Sequence, residues 1–281
     1  MNDANKWQKL KKNEAGMAEK LLLSHEYRCI NACYRFINRK KTNSKTWALH
    51  DGSGNISSLV IYSNKNILPL LCRKNNIPLL KFLNGKYSIY PVYSLQGSRE
   101  DVAVIESMME KNGFIPTEKI NYNLMCIDRL PECFIGKGPS GLILRKPTLA
   151  DLDDLAVLHA AYEQEEVLPA DAEFNPFVSR LTTEKIFYNE KMLIAEISGR
   201  IIGKINTNAF AFTRFQVGGV YVHPDYRGLG IARRMTGEFI KELITLGNGI
   251  SLFVKKSNSA AFRVYKSIGF EVKGDYSICY Y

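Results

Sequence analysis

The stretch Val220–Met235, VYVHPDYRGLGIARRM, constrains this chain more than any other. An apolar run of strand type ends in His-Pro-Asp, passes through Arg-Gly-Leu-Gly-Ile-Ala, and continues as the start of a helix. The first N–H groups of a helix lack intrahelical partners, and the helix dipole adds partial positive charge at the same end. Glycines in the turn remove the Cβ atoms that would hold a ligand away. The product is an anion cradle suited to a phosphate or pyrophosphate. Arg227, Arg233 and Arg234 add cationic charge around it. The chain has neither GxxxxGKS/T nor GxGxxG early in a βαβ unit, which argues against a P-loop kinase and a dinucleotide fold.

The surrounding periodicity sets this turn inside an α/β chain. After Leu142 the order reads as strand (142–145), a helix opened by Thr148, a helix around 177–188, a hairpin turning at Ser198-Gly199, the strand FQVGGVYV, the glycine turn with its helix, the strand ISLFVK, a short helix from Asn258, and a closing strand. The first half follows a similar plan. Helical spacing runs through the first forty residues, a meander of short strands follows to Cys72, YSIYPVYSL suggests a strand, REDVAVIESMMEKNG a helix, and EKINYNLMCID a last strand. LPECFIGKGPSG, residues 130–141, is the natural boundary. The expected division is therefore 1–135 and 141–281, with an internal structural repeat.

With 281 residues, 46% hydrophobic and 23% charged, the chain has room for two ordinary domains. No apolar run reaches bilayer length, and the polar N-terminus has no signal-peptide core, so a cytoplasmic protein with no membrane partner is expected. The six cysteines are scattered without zinc spacing, which points to reduced thiols and no metal. The net charge of +10 is concentrated in residues 1–136, with 20 basic against 12 acidic side chains. No nucleic-acid motif accompanies it, so it reads as a field that favours an anion.

Arg227–Ala232 resembles the pyrophosphate-binding signature of the GNAT superfamily of CoA-dependent N-acetyltransferases, Arg/Gln-x-x-Gly-x-Gly/Ala. NSAAFRVYKSIGF, residues 258–270, resembles the family's late segment. The resemblance covers roughly 142–281, and QVGGVYVHPDYRG is similar to a subgroup in which a diverged GNAT-like half precedes the active one. It implies a mixed-sheet GNAT fold behind a degenerate GNAT-like N-terminal domain. It also implies acetyl-CoA as co-substrate, a primary amine as acceptor, and direct attack. The backbone of Arg227, Gly228, Leu229, Gly230, Ile231, Ala232 and Arg233 would hold the pyrophosphate. Val220, Tyr221 and Val222 would pair with the pantetheine arm, and Asn258 would contact it. Because the arm must enter between adjacent strands, FQVGGVYV and ISLFVK should splay apart.

Acyl transfer needs a neutral amine and a protonated leaving thiolate. The family's late tyrosine falls on Tyr265, the expected acid. A backbone N–H near Tyr221 or Val222 would polarise the acyl carbonyl. The base is a gap, since the strand that often carries a glutamate here reads Phe215-Gln216-Val217-Gly218-Gly219. A water chain, an amine arriving neutral, or Glu163, Glu165, Glu166 or His223 could fill it. The acidic run 163–166 reads equally as a cationic-amine recognition site or a solvated helix end. Gly218 and Gly219 read as a bulge or a close ligand approach. In the first half, Gln96-Gly97-Ser98-Arg99-Glu100 makes a poor pyrophosphate site, so that half should not bind CoA in the usual mode. A non-catalytic CoA-binding sensor and an aminoacyl- or peptidoglycan-type transferase on a tandem scaffold stay open as alternatives, with a nucleic-acid module last.

Overall fold

A computed structural model describes residues 7–72, 91–130, 136, 138–169, 172–247 and 249–281. Part of the expected strand 87–95, half of the expected boundary loop 130–141, and Cys133 lie outside these residues. The chain divides into two compact units, Met1–Leu124 with Lys273–Tyr281, and Met125–Val272. The closing segment of the chain thus belongs with the first unit.

In the first unit, β1 (Trp7–Lys9) precedes α1 (Ala15–Ser24) and α2 (Glu26–Ile37). The single helical stretch expected here breaks at His25, whose φ of −122° and ψ of 14° leave the helical region. The meander follows as β2 (Lys45–His50), β3 (Ile56–Ser63) and β4 (Asn66–Leu71). Its second turn places Asn64 and Lys65 at positive φ, as a tight hairpin requires. Then come β5 (Ser94–Ser98), α3 (Arg99–Glu110) and β6 (Glu118–Ile127). Strand order is β1-β2-β3-β4-β5-β12-β6, where β12 is Glu271–Tyr280. Val60, Ile67, Leu95, Val102, Ile105 and Met109 pack as one core against Cys279 of that last strand.

The second unit realises the expected order. β7 (Ile143–Arg145) leads to α4 (Leu152–Tyr162), a π-helical turn (Glu163–Val167) and α5 (Pro176–Asn189). The hairpin β8 (Met192–Ile197) and β9 (Arg200–Phe210) precedes β10 (Arg214–Val222), α6 (Ile231–Ile244), β11 (Gly249–Lys255) and α7 (Ser259–Ile268). The strands run β11-β10-β9-β8-β7, with β10 and β11 parallel and the other pairs antiparallel. One face of this mixed sheet buries Ile231, Met235, Phe239, Ile240 and Leu243 of α6 with Tyr265 and Ile268 of α7. The other packs Leu155 and Leu158 of α4 on Met192, Ile194, Ile201 and Tyr221. Each such side chain contributes about 1.5–3 kcal/mol on burial, so both helix layers are held by apolar contact rather than by the polar groups of the site.

The entry to α4 is fixed by charge. Thr148 opens it, as expected, through a capping box with Asp151. Asp151 Oδ2 accepts from the Thr148 N–H at 2.6 Å, and both its oxygens accept from Arg145 at 2.7 and 2.8 Å. Arg145 Nε also donates to Glu196 on β8 at 2.8 Å, so one guanidinium ties β7, β8 and the helix start. The Arg145 guanidinium holds the Asp151 carboxyl well below the usual carboxylate range, with Thr148 adding to the effect against the opposing pull of burial. Its contribution is therefore complete above the unfolded value of about 3.9 and fades as pH falls through the lower folded value. Asp151→Asn is expected to cost about 1–2 kcal/mol at neutral pH, because Arg145 is partly exposed. Melting curves of both proteins between pH 7 and 2 check this: the difference should shrink below pH 4, and a difference constant with pH would refute the linkage.

Candidate functional site

The site forms where β10 leaves β11. Their register runs Arg214↔Gly249 to Val217↔Leu252 and stops, although β10 continues to Val222 and β11 to Lys255. The strands expected to splay are the ones that part. On its other side β10 slips against β9 between Gly218 and Tyr221. Gly219, at φ +59°, sits in that slip.

The two glycines here make room for side chains. A Cβ on Gly218 would lie 2.2 Å from Asn208 Nδ2, and one on Gly219 would lie 2.0 Å from Asn206 Oδ1 and 3.0 Å from Lys204 Nζ. Lys204, Asn206 and Asn208 alternate along β9 and so share one face. The bulge reading of the glycine pair is realised, and the close approach is made by the chain's own side chains rather than by a ligand.

Beyond β10, Pro224–Tyr226 forms a short 3-10 turn, with His223 Nδ1 accepting from the Asp225 N–H at 3.4 Å. His223 thus shapes the turn. Gly228 and Gly230 follow at φ +80° and +77°, and Gly230 is the N-cap of α6 with no capping side chain. A Cβ at either glycine would meet nothing within 4 Å. The turn therefore has open space above it, beside the first turn of α6, whose N-cap offers no side chain. Leu229 projects outward at 51% exposure, and Ile231 is in the core. Arg233 Nη2 reaches the Ser267 carbonyl at 3.5 Å. Arg234 does not serve the turn as expected, since it is engaged by the Gly136 carbonyl and by Glu238.

The acidic run is tied into this site, which replaces the solvated-end reading. Glu165 accepts from Arg227 through both oxygens at 2.7 and 2.8 Å, and from the Tyr221 hydroxyl at 2.9 Å. That pairing draws the Glu165 carboxyl below its ordinary pKa. Glu166 accepts from Asn258 Nδ2 at 3.1 Å, while Asn258 Oδ1 caps α7 through the Ala261 N–H at 2.9 Å. Glu163 lies 3.4 Å from His159 Nε2. The π-helical turn thus faces residues after β10 with one carboxylate and the start of α7 with another.

Behind the turn lies a group that the sequence reading missed. Lys204 is 1% exposed. Its Nζ donates to the Gly219 carbonyl at 3.1 Å and to Asn206 Oδ1 at 3.4 Å, and sits 4.4 Å from the centre of the Tyr162 ring. Burial pulls its pKa down to about 7 against the opposing charge of Glu163. The available signal was a lone lysine inside the apolar strand RIIGKI. Tyr265 is in the core, ring edge on Phe270, and its hydroxyl is pushed above the ordinary tyrosine range by burial, then by Tyr162 and Glu166. Gln216 is buried on the still-paired part of β10, opposite Ser251. Val220 packs on the helix-side core, and Tyr221 and Val222 are buried on opposite faces.

Residues 155–270 match the acetyltransferase (GNAT) family. This part of the chain is similar to that family. An acetyltransferase of Sodalis glossinidius is 34% identical over 84 residues, which are 29% of this chain and 57% of that protein. The chain spans 57–60% of the length of the first curated relatives it matches. Among solved structures, a Drosophila protein aligns over 99% of both chains at a TM-score of 0.66 and 14% identity. A tandem GNAT protein from the clavulanic acid biosynthesis pathway aligns over 98% of this chain and 97% of its own at 0.59 and 11%. At these identities the two structures speak for fold alone, and the fold they share with this chain extends through its first half.

The glycine pair gives this site a stability signature. Gly219→Ala combines a left-handed backbone with a Cβ driven into Asn206, so a loss of about 2–3 kcal/mol is expected. Denaturant titration of Gly219→Ala, Asn206→Ala and the double variant checks it. The double variant should lose less than the sum of the singles, and strict additivity would rule out the contact.

Proposed function

We propose that the second half of the chain is an N-acetyltransferase that moves an acetyl group from acetyl-CoA to a primary amine by direct attack. The observation that carries this is the parting of β10 from β11 after Val217, ahead of a glycine turn with open space above it at the start of a helix. The backbone of Gly228–Arg233 suits the pyrophosphate. The backbone of Val220–Val222 lies past the β11 register, where the pantetheine arm would pair as an added strand, with the Val222 carbonyl held by Arg227 Nε at 3.0 Å. Asn258, at the start of α7, would contact that arm from the other side of the fork.

In the reaction the amine nitrogen bonds the acetyl carbon, the carbon–sulfur bond breaks, and the sulfur takes a proton. Tyr265 is the proposed donor. Its raised pKa keeps the hydroxyl protonated at neutral pH, as a donor to a departing thiolate must be. The first half is proposed as the degenerate GNAT-like domain, 1–135, without a CoA site. In support, β5 runs straight into α3, whose start is capped by Ser98 and carries the buried carboxylate of Asp101. The lack of a carboxylate on β10 favours one second reading, a CoA-binding sensor without turnover.

Calorimetry with acetyl-CoA and CoA tests the donor site. Wild type should bind, and Gly230→Glu should lose binding at least tenfold, because a side chain at φ +77° would put bulk and negative charge on the anion's side of the turn. Binding unchanged in Gly230→Glu would remove the turn from the site. Tyr265→Phe should leave acetyl-CoA affinity within about threefold and lower turnover with an amine panel by about 10²-fold. Binding without turnover of any amine would favour the sensor.

A further inference from the structure

We propose that Lys204, on β9, is the proton acceptor for the incoming amine, in the role left without a carboxylate on β10. This rests on the acetyltransferase reading. The amine must meet the acyl carbon at the fork, and Gly219 is the residue of β10 that has left the β11 register and lies in the slip against β9. The Lys204 nitrogen is bonded to the carbonyl of that residue at 3.1 Å. The space it occupies exists because Gly219 has no Cβ. A lysine fully buried in a sheet is costly unless paired or neutral. The charged and titratable groups facing it are Glu163 of the π-helical turn, His159 and Tyr162 of α4, and Tyr221 opposite it in register on β10. Its bonds go to an uncharged carbonyl and amide. Burial outweighs the Glu163 charge and His159 is held neutral, with its pKa down to about 3, so the amine form of Lys204 is accessible near neutral pH.

The step balances. An acceptor ammonium passes one proton to the neutral Lys204 Nζ and becomes the attacking amine. The carbon–nitrogen bond forms as the carbon–sulfur bond breaks. Tyr265 protonates the sulfur, the tyrosinate takes the second proton from the amide nitrogen, and Lys204 returns its proton to water.

Two measurements test this. First, the Nζ of Lys204 is titrated by nitrogen NMR in the full-length protein, with Lys204→Met identifying the signal. A midpoint near pH 7 is expected, and one above pH 10 overturns the proposal without reference to any acceptor. Second, turnover of acetyl-CoA with spermidine, lysine and an alanine tripeptide is followed against pH. Wild type should show an acidic limb in kcat/KM near pH 7. Lys204→Met should bind acetyl-CoA within threefold of wild type, lose about 10²-fold in rate and lose that limb. Lys204→Arg, which keeps the charge but cannot accept a proton, should not rescue. A limb that persists in Lys204→Met, or full rescue by arginine, assigns Lys204 a purely structural role and overturns the proposal. If wild type acetylates none of the amines, the acetyltransferase reading fails on its own account, and the titration alone decides whether Lys204 is a neutral amine.

Discussion

The site depends on two parallel strands that share a register for only four residue pairs, Arg214↔Gly249 through Val217↔Leu252. Buried backbone N–H and C=O groups must find partners, so strands that part inside a folded unit force compensation nearby. Here the compensation comes from β9. The strand slips where β10 turns away, and its polar face of Lys204, Asn206 and Asn208 moves into the space left by Gly218 and Gly219. The Gly219 carbonyl receives a lysine nitrogen, and Asn206 donates to the Thr207 carbonyl and to Asn208. A glycine pair that would weaken an ordinary strand is what lets this fork stay open.

Charge at the fork is arranged with the same economy. A π-helical turn after α4 carries three carboxylates: Glu165 is bonded to Arg227 and Tyr221, Glu166 to Asn258, and Glu163 lies 3.4 Å from the neutral His159 ring. Such turns recur at functional sites. The Glu165–Arg227 pair is bidentate, yet both side chains are about two-fifths exposed. An exposed pair is worth about 0.2–1 kcal/mol, which makes it a weak competitor. In the proposed acetyl-CoA complex a pyrophosphate could take over the guanidinium with little loss. In the meantime the carboxylate keeps Arg227 beside the turn.

The order of elements in the second unit was legible because each element carries its own local signature: Thr148 with Asp151 at a helix start, Ser198-Gly199 at a hairpin, Gly230 before α6 and Gly269 after α7. The splay was legible only through the family resemblance. The residues that the reading misplaced or missed are those whose roles arise from pairing over long separations. Arg227 meets Glu165 across 62 positions, and Lys204 meets Gly219 through a strand slip. No periodicity announces either contact. Arg234 was assigned to the turn by proximity in sequence, but Arg227 and Arg234 lie on opposite sides of the turn residues, and only Arg227 is drawn to the acidic run. The break at His25 was hidden because residues on both sides keep helical spacing.

The two halves of the chain show how little sequence separates a helix start that is free from one that is filled. In the first half β5 ends at Ser98, whose hydroxyl accepts from the Asp101 N–H at 3.4 Å, while the Asp101 carboxylate is buried and bonded to Arg28. The partial positive charge at that helix start is already met by the chain's own oxygens. In the second half the same strand-to-helix junction is lengthened by a 3-10 turn and closed by Gly228 and Gly230, and the N-cap offers no side chain. A capping serine and a buried aspartate make the first junction self-sufficient. Two glycines in left-handed conformation leave the second one without a capping side chain, at a cost in backbone entropy that an ordinary turn would avoid. Stability alone would favour the first arrangement in both places, and the second is the form that the proposed pyrophosphate site calls for.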